Sequence, residues 1–274
     1  MNIRDILKEK LTEEELSHLR TSFDIVGDIA IIEIPEEIQS RKKEIAKAIL
    51  KVHKNVHNVC MKTGAREGEF RLRGVELIAG ETTLTTHMES GCKILVDVAK
   101  AYFSVRESTE RLRIAEMVKP KETVMVLFAG VGPYAIVIGK KRPDIGKIYA
   151  LEINPDAVRL MEDNVRINRL QTKVFPVLGD ARKDCKPYYG KCNRVIMPLP
   201  HTAHKFLDVA FHLLKKKGGT IHLYHIEDEG DVSTEVMDKM KEFSGKRKYE
   251  ISEKRKVLPY SPGSYKFCID VRVF

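Results

Sequence analysis

Residues 123–139 read TVMVLFAGVGPYAIVIG. An apolar run enters two glycines flanking a valine, then a proline, then a second apolar run. Glycine and proline at the centre make a poor membrane span and a good strand–turn–helix. Gly130 and Gly132 let the chain bend sharply and approach a ligand with no Cβ in the way. In a doubly wound sheet such a turn lies where the strand order reverses, and ligands bind there.

The pattern continues outward from this turn. Helix ESTERLRIAEMV precedes it. Strand KIYALEI, helix PDAVRLMEDNVRINR, strands KVFPVL and NRVIM, helix TAHKFLDVAFHLLKK, strand GTIHLYHI and helix STEVMDKMKEFSG follow. Alternation of this kind predicts an α/β fold, a mostly parallel sheet with helices on both faces. The tail YKFCIDVRVF is expected to close an edge as an antiparallel strand. The N-terminal part differs. It has helical spacing over residues 1–20, then strand DIAIIEI and helix EEIQSRKKEIAKAILKVH. The short strands VHNVCM, GEFRLRGVELI, TTLTTHM and CKILVDV follow. The expected division is a small α+β domain over residues 1–92 and a doubly wound domain over 93–274.

Two further strand ends carry chemistry. Glu152 closes ALE, and an acid there accepts hydrogen bonds from both hydroxyls of a ribose. Asp180 follows VLG on the third strand, near the expected adenine edge. The turn is not G-x-G-x-x-G, and there is no lysine-bearing P-loop. A nucleoside without phosphates, such as S-adenosylmethionine, suits it better than a dinucleotide.

The chain has 274 residues and a net charge of +9, which favours a polyanionic partner, nucleic acid first. The N-terminus MNIRDILKEKLTEEEL has charges where a signal peptide needs an apolar region, so a cytoplasmic protein with no membrane partner is expected. Its five cysteines form no CxxC pair and no zinc spacing with histidine, so reduced cysteines and no metal site are expected. No sequence stripe marks a dimer, and a monomer is the expectation.

From about residue 22 onward, several segments resemble, in order, the archaeal and eukaryotic tRNA guanine-37 N1-methyltransferase family. They include SFDIVGDIAIIEIPEE, GEFRLRGVELIAGE, VDVAKAYFS, STERLRIAEMV, FAGVGPY, INPDAVRLMEDNVRIN, NRVIMPLP and LPYSPGSYKFCIDVRV. The resemblance implies a class I (Rossmann-like) methyltransferase domain, a small RNA-facing domain, S-adenosylmethionine as cofactor and the tRNA anticodon loop as partner. It implies that Tyr102, Phe103 and Arg106 shape the cofactor pocket, with Arg111 close by. Phe128, Ile153, Ala181 and Pro198 join Gly130, Gly132, Glu152 and Asp180 as expected cofactor contacts. Glu110 matches the family's general base, which takes the proton from guanine N1. Arg71 or Arg73 would stabilise charge developing on O6. Alternation places both arginines on one strand face, and Arg71 is slightly preferred.

Three features depart from the family pattern. Val126 stands where an acid is usual, and Pro198-Leu199-Pro200 stands where the family has asparagine before its proline. The extra N-terminal domain of many archaeal members is not matched, so the grip on tRNA is expected from residues 1–90 and the basic surface. These departures keep two alternatives open. One is the sister family of wybutosine synthesis, which moves the 3-amino-3-carboxypropyl group of the same cofactor to a modified guanosine 37. The other is a non-catalytic RNA-binding module. Tyr188, Tyr189 and Tyr260 are weaker candidates for base stacking, as are His201 and His204 for substrate contact.

Overall fold

The computed structural model describes the backbone of residues 2–67 and 72–274, and the side chains of those outside 65–73. Two compact units emerge: Met1–Glu89 with Lys93–Val105, and Ser90–Cys92 with Arg106–Phe274.

In the first unit the stretch of helical spacing over residues 1–20 forms two helices, α1 (Ile3–Leu7) and α2 (Glu13–His18). The break has a local cause. Asn2 with Asp5 and Thr12 with Glu15 each form a reciprocal capping box, so the second box starts a new helix. Strands β1 (Asp24–Val26) and β2 (Ile29–Ile32) form an antiparallel pair. After Pro35 a 3-10 turn over Glu36–Arg41 leads into α3 (Lys42–Val52), which buries Ile45, Ala46, Ala48 and Ile49. Strands β3 (Asn58–Glu67) and β4 (Leu72–Ala79) complete a sheet of order β1-β2-β3-β4. Strands β5 (Leu84–Glu89) and β6 (Cys92–Asp97) form a separate pair. One face of α3 meets Leu7, Ile32, Ile38 and Val59 in the core. Each such side chain contributes about 1.5–3 kcal/mol by leaving water.

The second unit is a seven-stranded sheet. In chain order its elements are α4 (Ser108–Met117), β7 (Thr123–Leu127), α5 (Pro133–Lys141), β8 (Lys147–Glu152), α6 (Pro155–Ile167), β9 (Val174–Leu178), α7 (Ala181–Asp184), β10 (Arg194–Met197), α8 (Leu207–Leu213), β11 (Gly219–Asp228), α9 (Thr234–Ser244), β12 (Tyr249–Ser261) and β13 (Ser264–Val273). The strand order is β12-β13-β11-β10-β7-β8-β9. The five strands β7 to β11 run parallel, and the order reverses between β7 and β10. Pro176 sits in β9, the edge strand, where a missing N–H is tolerated.

The tail strand departs from expectation. β13 is antiparallel, as expected, but it is not the edge. It pairs with β11 on one side and β12 on the other. Phe267 to Val271 are consequently buried without alternation. No helix is long and apolar enough to cross a membrane among the described residues. The five cysteines are buried thiols, with no disulfide among the described residues.

Candidate active site

The glycine turn stands at the C-terminal end of β7, at the reversal. Three of its residues have left-handed backbones: Phe128 at φ 55°, Gly130 at 56° and Gly132 at 81°. Phe128 is the unusual one, since a bulky residue there is strained, and such strain gathers at ligand sites. Gly132 precedes Pro133 at the start of α5, and a Cβ on it would lie 2.7 Å from Met161 Cγ. The second glycine is therefore also a packing requirement against α6.

Glu152 binds this turn to the next strand. Its Oε2 accepts from Gly130 N–H at 2.7 Å and its Oε1 from Asn154 N–H at 3.0 Å. Burial pushes the Glu152 carboxyl above its ordinary 4.5, and hydrogen bonds from the backbone of Asn154, Gly130 and Ile153 oppose that. A carboxylate has about four acceptor positions, and these three N–H groups leave one open to a ribose hydroxyl. Asn154 accepts from Asp156 N–H at 3.0 Å and starts α6. Gly179 N–H donates to the Glu152 carbonyl at 3.0 Å, which sets the end of β9 beside the end of β8. There Asp180 Oδ1 caps α7 through Arg182 N–H at 2.7 Å, and Ala181 is buried.

The sequence pattern gives no sign of one wall. The Phe206 ring stands 5.0 Å from the Phe128 ring, edge-on, and Arg182 lies 4.7 Å above Phe206. Phe206 comes from the turn before α8, and no local pattern ties it to Phe128. Pro198 follows β10 half-buried, while Met197 and Val126 are fully buried in the sheet. Val126 pairs in register with Ala150 and Ile196 and offers no polar atom.

Glu110 belongs to a second, buried constellation in this unit. Arg113 grips it with two hydrogen bonds, Nε to Oε2 at 2.8 Å and Nη2 to Oε1 at 2.7 Å. Tyr224 OH donates to Oε1 at 2.7 Å, and Arg255 Nε stands 3.8 Å from Oε2. Arg113 also reaches Asp270 at 2.8 Å, and His222 meets Asp270 at 2.6 Å. Burial favours the protonated form of Asp270, but the His222 and Arg113 hydrogen bonds prevail and hold it far below the usual carboxylate range. Glu110 is linked to the glycine turn by two rings, since Tyr134 of α5 lies 5.9 Å from Tyr224. Tyr224 thus orients the Glu110 carboxyl. Tyr224→Phe leaves Arg113 in place and removes one hydrogen bond to Glu110, so kcat should fall about tenfold with KM little changed. Steady-state kinetics checks this, and an unchanged kcat excludes the role.

The remaining candidates are dispersed. Arg111 is fully buried in α4, and Arg106 is exposed in the turn Val105–Glu107. Tyr102 and Phe103 fall in the first unit, Tyr102 exposed and Phe103 5.2 Å from the His87 ring. Arg71 lies outside the described residues, and Arg73 is described only through its backbone in β4, opposite Arg66. Tyr188 and Tyr189 are engaged in packing, on Tyr149 at 4.5 Å and His212 at 5.1 Å. Tyr260 stays exposed, 5.4 Å from His201. His204 is buried against His225.

This strand order, with a strained glycine turn at its reversal and a carboxylate on the neighbouring strand, defines a class I, Rossmann-like methyltransferase domain. The family model of the TRM5/TYW2 methyltransferase domain matches residues 85–252, and that of the TYW2 N-terminal domain matches residues 3–83. The tRNA (guanine(37)-N(1))-methyltransferase Trm5b of Pyrococcus abyssi is 44% identical over 258 residues, covering 93% of this chain and 76% of that protein. The tRNA(Phe) (4-demethylwyosine(37)-C(7)) aminocarboxypropyltransferase of Pyrococcus horikoshii is 30% identical over 277 residues, covering 99% and 96%. The solved complex of aTrm5 and tRNALeu superposes with a TM-score of 0.85 at 37% identity, covering 99% of this chain and 78% of that one. The chain belongs to the TRM5/TYW2 methyltransferase family.

Proposed function

We propose that this protein is an S-adenosylmethionine-dependent tRNA methyltransferase that modifies N1 of guanosine 37 in the anticodon loop, acting in the cytoplasm as a monomer. One observation carries the reading: Glu152 closes the glycine turn at the sheet reversal of a chain 44% identical to a Trm5b. The donor set suits the cofactor. A buried carboxylate accepts from ribose hydroxyls and repels a phosphate, and the aromatic pair Phe128–Phe206 supplies an apolar wall. Glu152 would hold the ribose, with Gly130, Gly132, Ile153, Asp180, Ala181 and Pro198 lining the crevice. Arg106, Arg111, Tyr102 and Phe103 are proposed as its further contacts. Bound there, S-adenosylmethionine supplies an electrophilic methyl group.

The protein's own task is to make guanine N1 nucleophilic. That nitrogen carries a proton, which must leave as its lone pair attacks. Glu110 is proposed to take it, held in orientation by Tyr224 and Arg113. Arg71 or Arg73 is proposed to balance the charge that gathers on O6.

Incubation of the protein with unmodified tRNA and S-adenosylmethionine, followed by nucleoside digestion and mass spectrometry, tests the reading. One methyl group should appear on guanosine, and a transcript with adenosine at position 37 should gain none. An aminocarboxypropyl increment assigns the chain to the sister reaction instead, and no increment leaves it a binding module.

A further inference from the structure

A cluster at the C-terminal end of β11 has no part in the proposed reaction. His225 of β11, His204 of the turn Ala203–Phe206 and Glu235 of the first turn of α9 each bring one ligating atom within 4.8 Å of the others. Both histidines are buried, 2% and 7% exposed, with ring centroids 5.0 Å apart. Their hydrogen bonding is incomplete. His204 Nδ1 and His225 Nδ1 have no hydrogen-bond partner among the described residues. His204 Nε2 meets only Glu235 Oε1, at 2.9 Å, itself a member of the cluster. Buried polar atoms left this way are costly, so the arrangement suits a ligand that accepts lone pairs.

Two imidazoles and one carboxylate are a donor set that zinc takes, with the fourth position left open. The His225 ring also hydrogen-bonds to the backbone of Pro200, the kind of outer contact that orients a ligating histidine. Nearby charges are mixed. Lys205 and Lys254 oppose a cation, but Lys254 is already paired with Glu227 at 2.7 Å. The other histidine-containing cluster, His222, Cys268 and Asp270, is unsuitable. Its atoms bond to one another, and Arg194 and Arg113 flank it.

We infer that His204, His225 and Glu235 form a binding site for a divalent cation of the zinc class, which ties the Pro198–Pro200 loop to β11 and α9. The assignment does not depend on the reaction proposed above.

The test uses the full chain, dialysed against a chelator. Zinc is titrated by calorimetry and cobalt by visible absorption. One equivalent should bind, with the cobalt spectrum of nitrogen and oxygen ligands and no thiolate charge-transfer band. Glu235 is exposed on its helix, so Glu235→Gln should fold as the wild type does, which circular dichroism verifies. It should bind zinc at least about tenfold more weakly, and zinc should raise the Tm of the wild type but not that of the variant. Equal zinc affinity in the two proteins, a thiolate band or no uptake overturns the assignment.

Discussion

Glu152→Ala should lower the affinity for S-adenosylmethionine about ten- to a hundredfold. A hydrogen bond to a charged group contributes about 1.5–3 kcal/mol, and one acceptor position of Glu152 is open to the ribose, so the loss comes to that much. The substitution also strips the Gly130 and Asn154 N–H groups of their acceptor, at 2.7 and 3.0 Å. The ligand-free protein should therefore melt earlier as well. Calorimetry for the affinity and a melting curve without ligand separate the two effects, and wild-type affinity in the variant would remove this crevice from the account. Acid gives a second readout. Burial raises the folded-state pKa of Glu152 above 4.5 while the unfolded chain stays near that value. Protonation thus favours the fold, and this group's contribution to stability falls as pH rises through that window. Cofactor affinity moves the other way. It needs the ionised acceptor, so it should weaken on acidification before the pH reaches 4.5, and Glu152→Gln should flatten that dependence.

The parts of this crevice legible in the sequence are those built by neighbours in the chain. Gly130, Gly132 and Pro133 declare a turn by their own backbone preferences, and Glu152 is found by counting to the next strand end. The strand–helix alternation over residues 108–244 needs only local periodicity. Contacts made across the sheet leave no such mark. Arg113 meets Asp270 157 residues away, and Tyr224 meets Glu110 across 114. Nothing in STERLR, HLY or CID announces either pair. Phe206 is invisible as a wall for the same reason. β12 is hidden because its KRK run looks like a solvated loop, and once β12 covers β13, the tail strand is interior, whatever its alternation suggests. The N-terminal break is legible in principle, since Thr12 followed by Glu15 is a capping signal within a helical pattern. The histidine cluster draws on three elements brought together only by folding, which is why a search for zinc spacing along the chain passes over it.

Glu110→Gln should reduce methyl transfer by about 10²–10⁴-fold, the usual worth of a positioned proton acceptor, while S-adenosylmethionine affinity changes little. The surroundings of Glu110 make the demand exacting. A carboxylate held by an arginine through both oxygens is ordinarily a reluctant base, because protonation strands the guanidinium. Here Arg113 has another anion at hand, Asp270 at 2.8 Å, with Glu253 at 3.4 Å. His222 and Arg113 keep Asp270 ionised, so it cannot take the proton itself, yet it can keep Arg113 neutralised while Glu110 is protonated. The pairing thus holds Glu110 in place through Arg113, which Asp270 also binds. The carboxamide of that variant would keep the shape and the Tyr224 contact but have no site for a proton. Single-turnover methylation measured with saturating cofactor, alongside cofactor titration, distinguishes lost chemistry from lost binding. A wild-type single-turnover rate would mean that the N1 proton leaves by another route, and that the constellation of Glu110, Arg113 and Asp270 serves only to hold α4 against the sheet.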